Sequence, residues 1–155
     1  MAAAAVLAAM VAGCGGSPAA KPQRVSAGGY HFDAPASWRV VSTRIAVTAD
    51  GGDDLVQVSA FPLAKRYSPS LFAKVAPELQ AQLGKAAASV GGKIEDAGDV
   101  TAGGVRSHVF RVRVGDHVDE YTFVLVGLRE FQLLCRAKEV GSAACKQLQS
   151  SFELS

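Results

Sequence analysis

The side chains whose types and spacing bear on chemistry are three cysteines, three histidines and a few grouped carboxylates, and the cysteines say most. They stand at Cys14, Cys135 and Cys145, an odd number that leaves one thiol over from any pairing within the chain. Cys135 and Cys145 are near neighbours. A bridge between them closes a loop of about 11 residues, worth about 3 kcal/mol in the chain-entropy model, and persists only in an oxidising compartment. The alternative is a pair of reduced thiols buried as small apolar side chains. A metal knuckle fits poorly, because the two are too far apart and no histidine adjoins them.

The other polar groups make no catalytic set. The sequence has no G-x-S-x-G elbow, no phosphate-cradling G-x-x-x-x-G-K-[ST] and no H-E-x-x-H, the patterns that place a nucleophile, a phosphate or a zinc. His31, His108 and His117 fall on separate elements. His108 alternates with Phe110 and reads as a core or rim histidine, and His117, at a hairpin tip, reads as solvated. Asp53 and Asp54 beside Gly51-Gly52 lack the spaced oxygen ligands of a calcium loop and read as a turn. Glu95, Asp96 and Asp99 read as hairpin-edge charges. Trp38, after a proline-containing turn, is either a core plug or part of a ligand wall. No metal and no cofactor is expected.

Cys14 is different because of what precedes it. Residues 1–13 are apolar and rich in alanine, and Val11-Ala12-Gly13 runs straight into the cysteine. An apolar stretch, two small residues and cysteine resemble the signal of bacterial lipoproteins, which is cut before the cysteine while its thiol takes a diacylglyceryl group. On that reading 1–13 is a signal peptide, excluded from fold arguments. Residues 14–27 are then a lipidated cysteine and flexible tether, and 28–155 a single domain. Residues 1–13 contain no Lys or Arg, whereas a signal normally opens with positive charge. Either the basic residues precede Met1, or the segment is an alanine-rich leader. It is too short to span a bilayer as a mature anchor, which needs about 20 residues.

Removing leader and tether leaves about 130 residues, enough for one domain with one core. A net charge of +2 without a basic run gives no electrostatic footprint for nucleic acid. No second apolar segment is long enough to cross a membrane, and no repeat appears at solenoid or propeller periods.

The elements that must position these residues follow from turn signals and periodicity. Gly28 to Phe32 opens a strand, Trp38 to Val41 a second extended piece, and Leu55 to Phe61 a β-rich run after the Asp50–Asp54 turn. Ser68 and Pro69 suit a helix start. Leu71, Phe72, Val75, Leu79 and Leu83 then share one helical stripe, and Pro77 predicts a kink or two abutting helices. Gly91-Gly92 ends the element. A meander follows: Ile94–Val100, a turn over Thr101–Gly104, Val105–Val114, a two-residue loop at Gly115-Asp116, Val118–Val126, a turn over Gly127–Glu130, and Phe131–Arg136. The two-residue loop sets Phe110 opposite Tyr121, His108 opposite Phe123 and Arg111 opposite Glu120, so one face is aromatic and the other carries a charge pair. Ser142 caps a closing helix over 143–150 that brings Cys145 back towards Cys135, and Phe152 and Leu154 pin the end. These elements make an α+β fold, an antiparallel β-meander sheet flanked by helices.

The run Tyr30-His31-Phe32-Asp33-Ala34-Pro35-Ala36-Ser37-Trp38 resembles the opening of PsbP-like domains: an aromatic strand, a proline, small residues, a tryptophan. The helix after Ser68 and Ser150-Ser151-Phe152 near the end are similar in placement. With the cysteine signal, the chain resembles the LpqN/LpqT-type lipoproteins of mycobacteria and related actinobacteria over about residues 28–154. That resemblance implies an α/β/α sandwich and an accessory or binding role in the cell envelope, with no catalytic residues to carry over. The expectation is a non-catalytic, extracytoplasmic module held to the membrane by lipidated Cys14, with an envelope protein as partner. The alternative is a carrier that holds a lipid or glycolipid between helix and sheet, lined by Trp38, Phe72, Val75, Leu79, Phe110, Tyr121 and Phe123. A hydrolase ranks third.

Overall fold

The computed structural model describes residues 20–44 and 46–155; Cys14 and the 1–13 segment lie outside them. Tight turns and alternating strands generate most of the chain. β1 (Gln23–Ala27) and β2 (Tyr30–Ala34) form a hairpin, followed by β3 (Arg39–Ser42), β4 (Ala46–Asp50) and β5 (Leu55–Pro62). After a 3-10 turn over Pro69–Leu71, α1 spans Phe72–Ser89. The meander is β6 (Lys93–Ala102), β7 (Val105–Val114), β8 (His117–Val126) and β9 (Arg129–Ala137), and α2 (Ala143–Ser151) leads into β10 (Glu153–Leu154).

The strands form a seven-stranded antiparallel sheet, ordered β3-β4-β5-β9-β8-β7-β6, and a three-stranded sheet, ordered β1-β2-β10. α1 lies on one face of the large sheet, over β6 and β7; α2 packs on β2, β9 and β5 on the other face. The fold is α+β, a sheet flanked by helices. The larger core lies between the two sheets and α2, around Phe32, Phe131, Leu133, Leu148 and Phe152. Tyr30 reaches into it, and its hydroxyl donates to the Val58 carbonyl at 3.1 Å. A smaller core of Leu79, Phe110 and Phe123 lies under α1.

Within the meander the register is as alternation requires: Phe110 faces Tyr121, His108 faces Phe123 and Arg111 faces Glu120 across a two-residue loop. Ser142 caps α2 by accepting from the Cys145 amide. Cys135 and Cys145 stand at disulfide distance, their Cα atoms 5.4 Å apart, which staples α2 to β9.

Other expectations need correcting. Residues 23–27, assigned to the tether, are β1 and pair with β2, so the folded part reaches back beyond residue 28. The turns between strands are shorter than expected, because β6 continues to Ala102 and β9 begins at Arg129. Pro77 does not split the helix; α1 runs through it. The carbonyl that Pro77 leaves without a donor is that of Ala73, and both residues lie on the exposed side of the helix, where solvent can reach it. Ser68 precedes the 3-10 turn but makes no side-chain cap; its hydroxyl meets that of Ser70 at 3.0 Å.

Candidate functional site

The residues expected to line an apolar site divide into two places. Val75, Leu79, Phe110, Tyr121 and Phe123 do meet under α1, with Leu83 and Ile94 packed around them. Phe110 and Phe123 contact edge to face with ring centroids 5.8 Å apart, the favoured geometry for two aromatic quadrupoles. Trp38 is elsewhere: it packs at the edge of the larger core and covers Gly51, where its indole occupies the space of a Cβ. It therefore plugs the β4–β5 turn and lines nothing with Phe72.

Phe72 begins α1 and is held from both sides. The His108 ring stacks on it with centroids 3.8 Å apart, and the Arg106 guanidinium lies 4.2 Å from its ring centre on a cation–π contact. His108 is buried; its Nδ1 meets Asp99 Oδ1 at 3.1 Å and its Nε2 meets the Phe72 carbonyl at 2.9 Å. Asp99 also accepts from Arg106 at 2.7 Å. This histidine fastens the helix start to the sheet.

Beside that anchor an apolar surface opens. A groove of about 420 Å³ runs between Tyr67, Phe72, Val105, Leu125 and Val126. A second, of about 400 Å³, shares Tyr67 and Leu125 and continues past Leu71, Val75 and Leu79. Leu71, Val126 and Leu128 are exposed large apolar side chains, with Lys65 and Arg66 on the adjoining loop; the Arg129 guanidinium turns onto the Phe131 ring, 5.3 Å from its centre. Among the described residues Lys65 and Arg66 join no salt bridge. The second groove carries both signs, Lys65 and Arg66 next to Tyr67 and Glu78 and Glu130 on its other walls. Burial pushes the Tyr67 hydroxyl above its ordinary range, opposed by Arg106.

At the other end of α1 the sheet carries an ion pair instead of aromatics. Arg136 donates to both oxygens of Asp119, at 2.7 and 2.8 Å, and that bonding holds the guanidinium value above its usual one. Tyr121 lies beside the pair; burial raises its hydroxyl value, Asp119 adds to the rise and Arg136 opposes it. His117, expected to be solvated, keeps its side chain only 25% exposed, and its Nε2 is buried without a hydrogen-bond partner. The Asp119–Arg136 pair was not legible along the chain. The signal lay in the register, since they face each other on β8 and β9.

Other charges pair across the sheet, one of them, Glu120, buried. Arg111 binds Glu120 at 2.7 Å and also Asp96, and Arg113 meets Glu95 at 3.3 Å. Gln149 of α2 donates to Glu120 at 2.6 Å. His31 meets Glu153 at 3.0 Å across β2 and β10. Among the described residues no three His, Cys, Asp or Glu side chains are grouped to hold a metal, and no helix is long and apolar enough to cross a membrane.

No protein-family model and no curated protein matches this chain. Solved structures do. The solution structure of cyanobacterial PsbP (CyanoP) from Synechocystis superposes with a TM-score of 0.66 at 17% identity, over 94% of this chain and 99% of that one. A crystal structure from Bacteroides thetaiotaomicron is similar at a TM-score of 0.55 and 14% identity, over 81% of this chain and 45% of that longer one. Identities this low carry the fold and nothing finer: the chain has a PsbP-like fold, an antiparallel sheet with helices on both faces.

Proposed function

We propose that this chain is a non-catalytic binding or accessory module of the cell envelope, an LpqN/LpqT-type lipoprotein tethered through Cys14. The observation that carries the proposal is the exposed apolar surface of Leu71, Val126 and Leu128 beside Tyr67, with Lys65 and Arg66 on one side. Apolar and aromatic residues at the centre with a charged rim are the anatomy of a protein docking patch. The Lys65–Arg66 side of the rim suits an acidic group on the partner. The patch sits where β5 ends at Pro62, whereas the chain enters at Gln23, whose side chain bonds the carbonyls of Pro35 and Trp38 near the opposite end. A lipid anchor before Gln23 therefore joins the domain at the end away from the patch. An oxidising extracytoplasmic compartment suits the Cys135–Cys145 pair.

The test is photo-crosslinking from position 128 in the native envelope. A discrete envelope partner is expected, lost in Leu71→Glu and in Val126→Asp while the fold persists. Unchanged capture in both variants would remove the patch from the proposal.

The carrier reading retains one supporting observation, the groove past Leu71, Val75 and Leu79, whose 400 Å³ is within the range of small-ligand sites. Native mass spectrometry of gently purified protein decides it. Lipid that co-purifies and is lost in Val75→Glu favours the carrier; repeated absence of lipid leaves the docking module.

A further inference from the structure

His108 has an oxygen at each nitrogen of its ring. It is 5% exposed, with Nδ1 3.1 Å from Asp99 Oδ1 and Nε2 2.9 Å from the Phe72 carbonyl. A neutral imidazole donates from one nitrogen and carries a lone pair on the other. The Phe72 carbonyl has no proton to offer a lone pair. Asp99 has none either: it also accepts from Arg106 at 2.7 Å, and that bond holds its carboxyl below the usual range. In either neutral tautomer a lone pair would therefore face an oxygen at hydrogen-bond distance. The imidazolium, with two N–H donors, satisfies both oxygens.

The surroundings suit a cation. The ring stacks on Phe72 with centroids 3.8 Å apart, and an aromatic face attracts positive charge. Asp99 on β6 and Arg106 on β7 are the charged groups beside it; α1 presents Phe72, Ala73, Ala76 and Gln80, and β8 presents Phe123. One carboxylate thus serves two cations.

Removing the proton changes what holds the helix. One N–H then remains for two acceptors, and a carboxylate takes it in preference to a neutral carbonyl. The Phe72 carbonyl is left facing a lone pair, and the start of α1 loses that bond to the sheet. Phe72 is also a wall of the groove between Tyr67, Val105 and Val126. We propose that His108 is a proton-operated latch. As the imidazolium it fixes the start of α1 and the groove beside it; on losing a proton it lets both move, so that docking weakens as pH rises. The last step rests on the docking reading above, and the latch itself does not.

The test follows the His108 ring nitrogens of the full chain by NMR between about pH 5 and about pH 8, the span in which histidines change charge. Amide protection is followed at Ala76, whose N–H bonds the Phe72 carbonyl within α1. At the acid end both nitrogens are expected to carry protons. Nε2 is expected to lose its proton as pH rises, and protection at Ala76 to fall about tenfold in the same step, the worth of one hydrogen bond. In His108→Gln, which cannot titrate, the step is expected to vanish while the α2 amides stay unmoved, reporting an intact fold. A ring nitrogen already bare where Ala76 is protected, two protons retained over the whole span, or a step that persists in His108→Gln would each overturn the latch. Photo-crosslinking from position 128 at the two ends of the span reads its consequence. Capture that falls with the loss of the proton is expected, and equal capture at both ends would sever the latch from docking. No capture at either end would overturn the docking reading alone, since the ring and amide signals need no partner.

Discussion

Asp99 serves two partners at once, and this makes the start of α1 sensitive to acid. The hydrogen bond from Arg106 holds its carboxyl below the usual range; partial burial opposes this, and the charge of Arg106 and the bond with His108 add to it. A carboxylate whose folded value is depressed contributes stability above its unfolded value, about 3.9. That contribution is lost as pH falls through the folded value. Acidification below about pH 4 should therefore free Arg106 and His108 and loosen the grip on Phe72. Faster amide exchange at Val75 and Ala76 is the expected sign. In Asp99→Asn this acid-induced step should disappear; its persistence would place the sensitivity elsewhere. The histidine at the centre was legible as a core residue from its alternation with Phe110. Its bonds to Asp99 and to the Phe72 carbonyl were not, because they join residues 9 and 36 positions apart.

At the scale of elements, α1 carries a built-in weakness. Pro77 lies inside the helix, where it removes one backbone bond and presses on the preceding turn. Pro77→Ala should stabilise the domain, by up to about 3 kcal/mol on the propensity difference, read as a higher urea midpoint at unchanged slope. A loss of stability would mean that the proline geometry is needed to seat Val75 and Leu79 on the sheet. The end of the same helix was plain in the sequence, and the structure gives each glycine a separate reason. Gly91 takes a φ of +73°, as a helix-terminating residue does, while a Cβ on Gly92 would come within 2.9 Å of the Arg113 carbonyl. β4 escaped notice because its buried residues, Val47 and Ala49, are too few and too small to make a strong alternation.

For the whole molecule, the Cys135–Cys145 link ties the last helix to the central sheet and so joins the chain end to the main core. Replacing both cysteines by serine should cost about 3 kcal/mol, the value for a loop of this size, measured by urea unfolding under oxidising conditions. No change in midpoint would mean that Leu148 and Phe152 alone hold α2. The anchor is tested at the same scale. Expressed with its native leader in its own host, the protein should partition with membranes, because two acyl chains suffice for stable anchoring, and Cys14→Ala should release it. Mass spectrometry that finds an unmodified N-terminus at Met1 would end that reading.

The sequence by itself determined what depends on neighbours along the chain. A two-residue loop and period-2 alternation set the β7–β8 register, with Phe110 opposite Tyr121. Ser142 set the start of α2, and cysteine spacing named the pair that meets. Tertiary structure alone decided which distant segments share an edge or a cleft. β1 and β10 join β2 from opposite ends of the chain. Trp38 goes to Gly51 and away from Phe72. His117 comes to lie over Asp119 and Arg136. Local periodicity reports which side of a strand is apolar; it has no term for which other strand that side will meet, since this is settled by burying one large core between both sheets and α2.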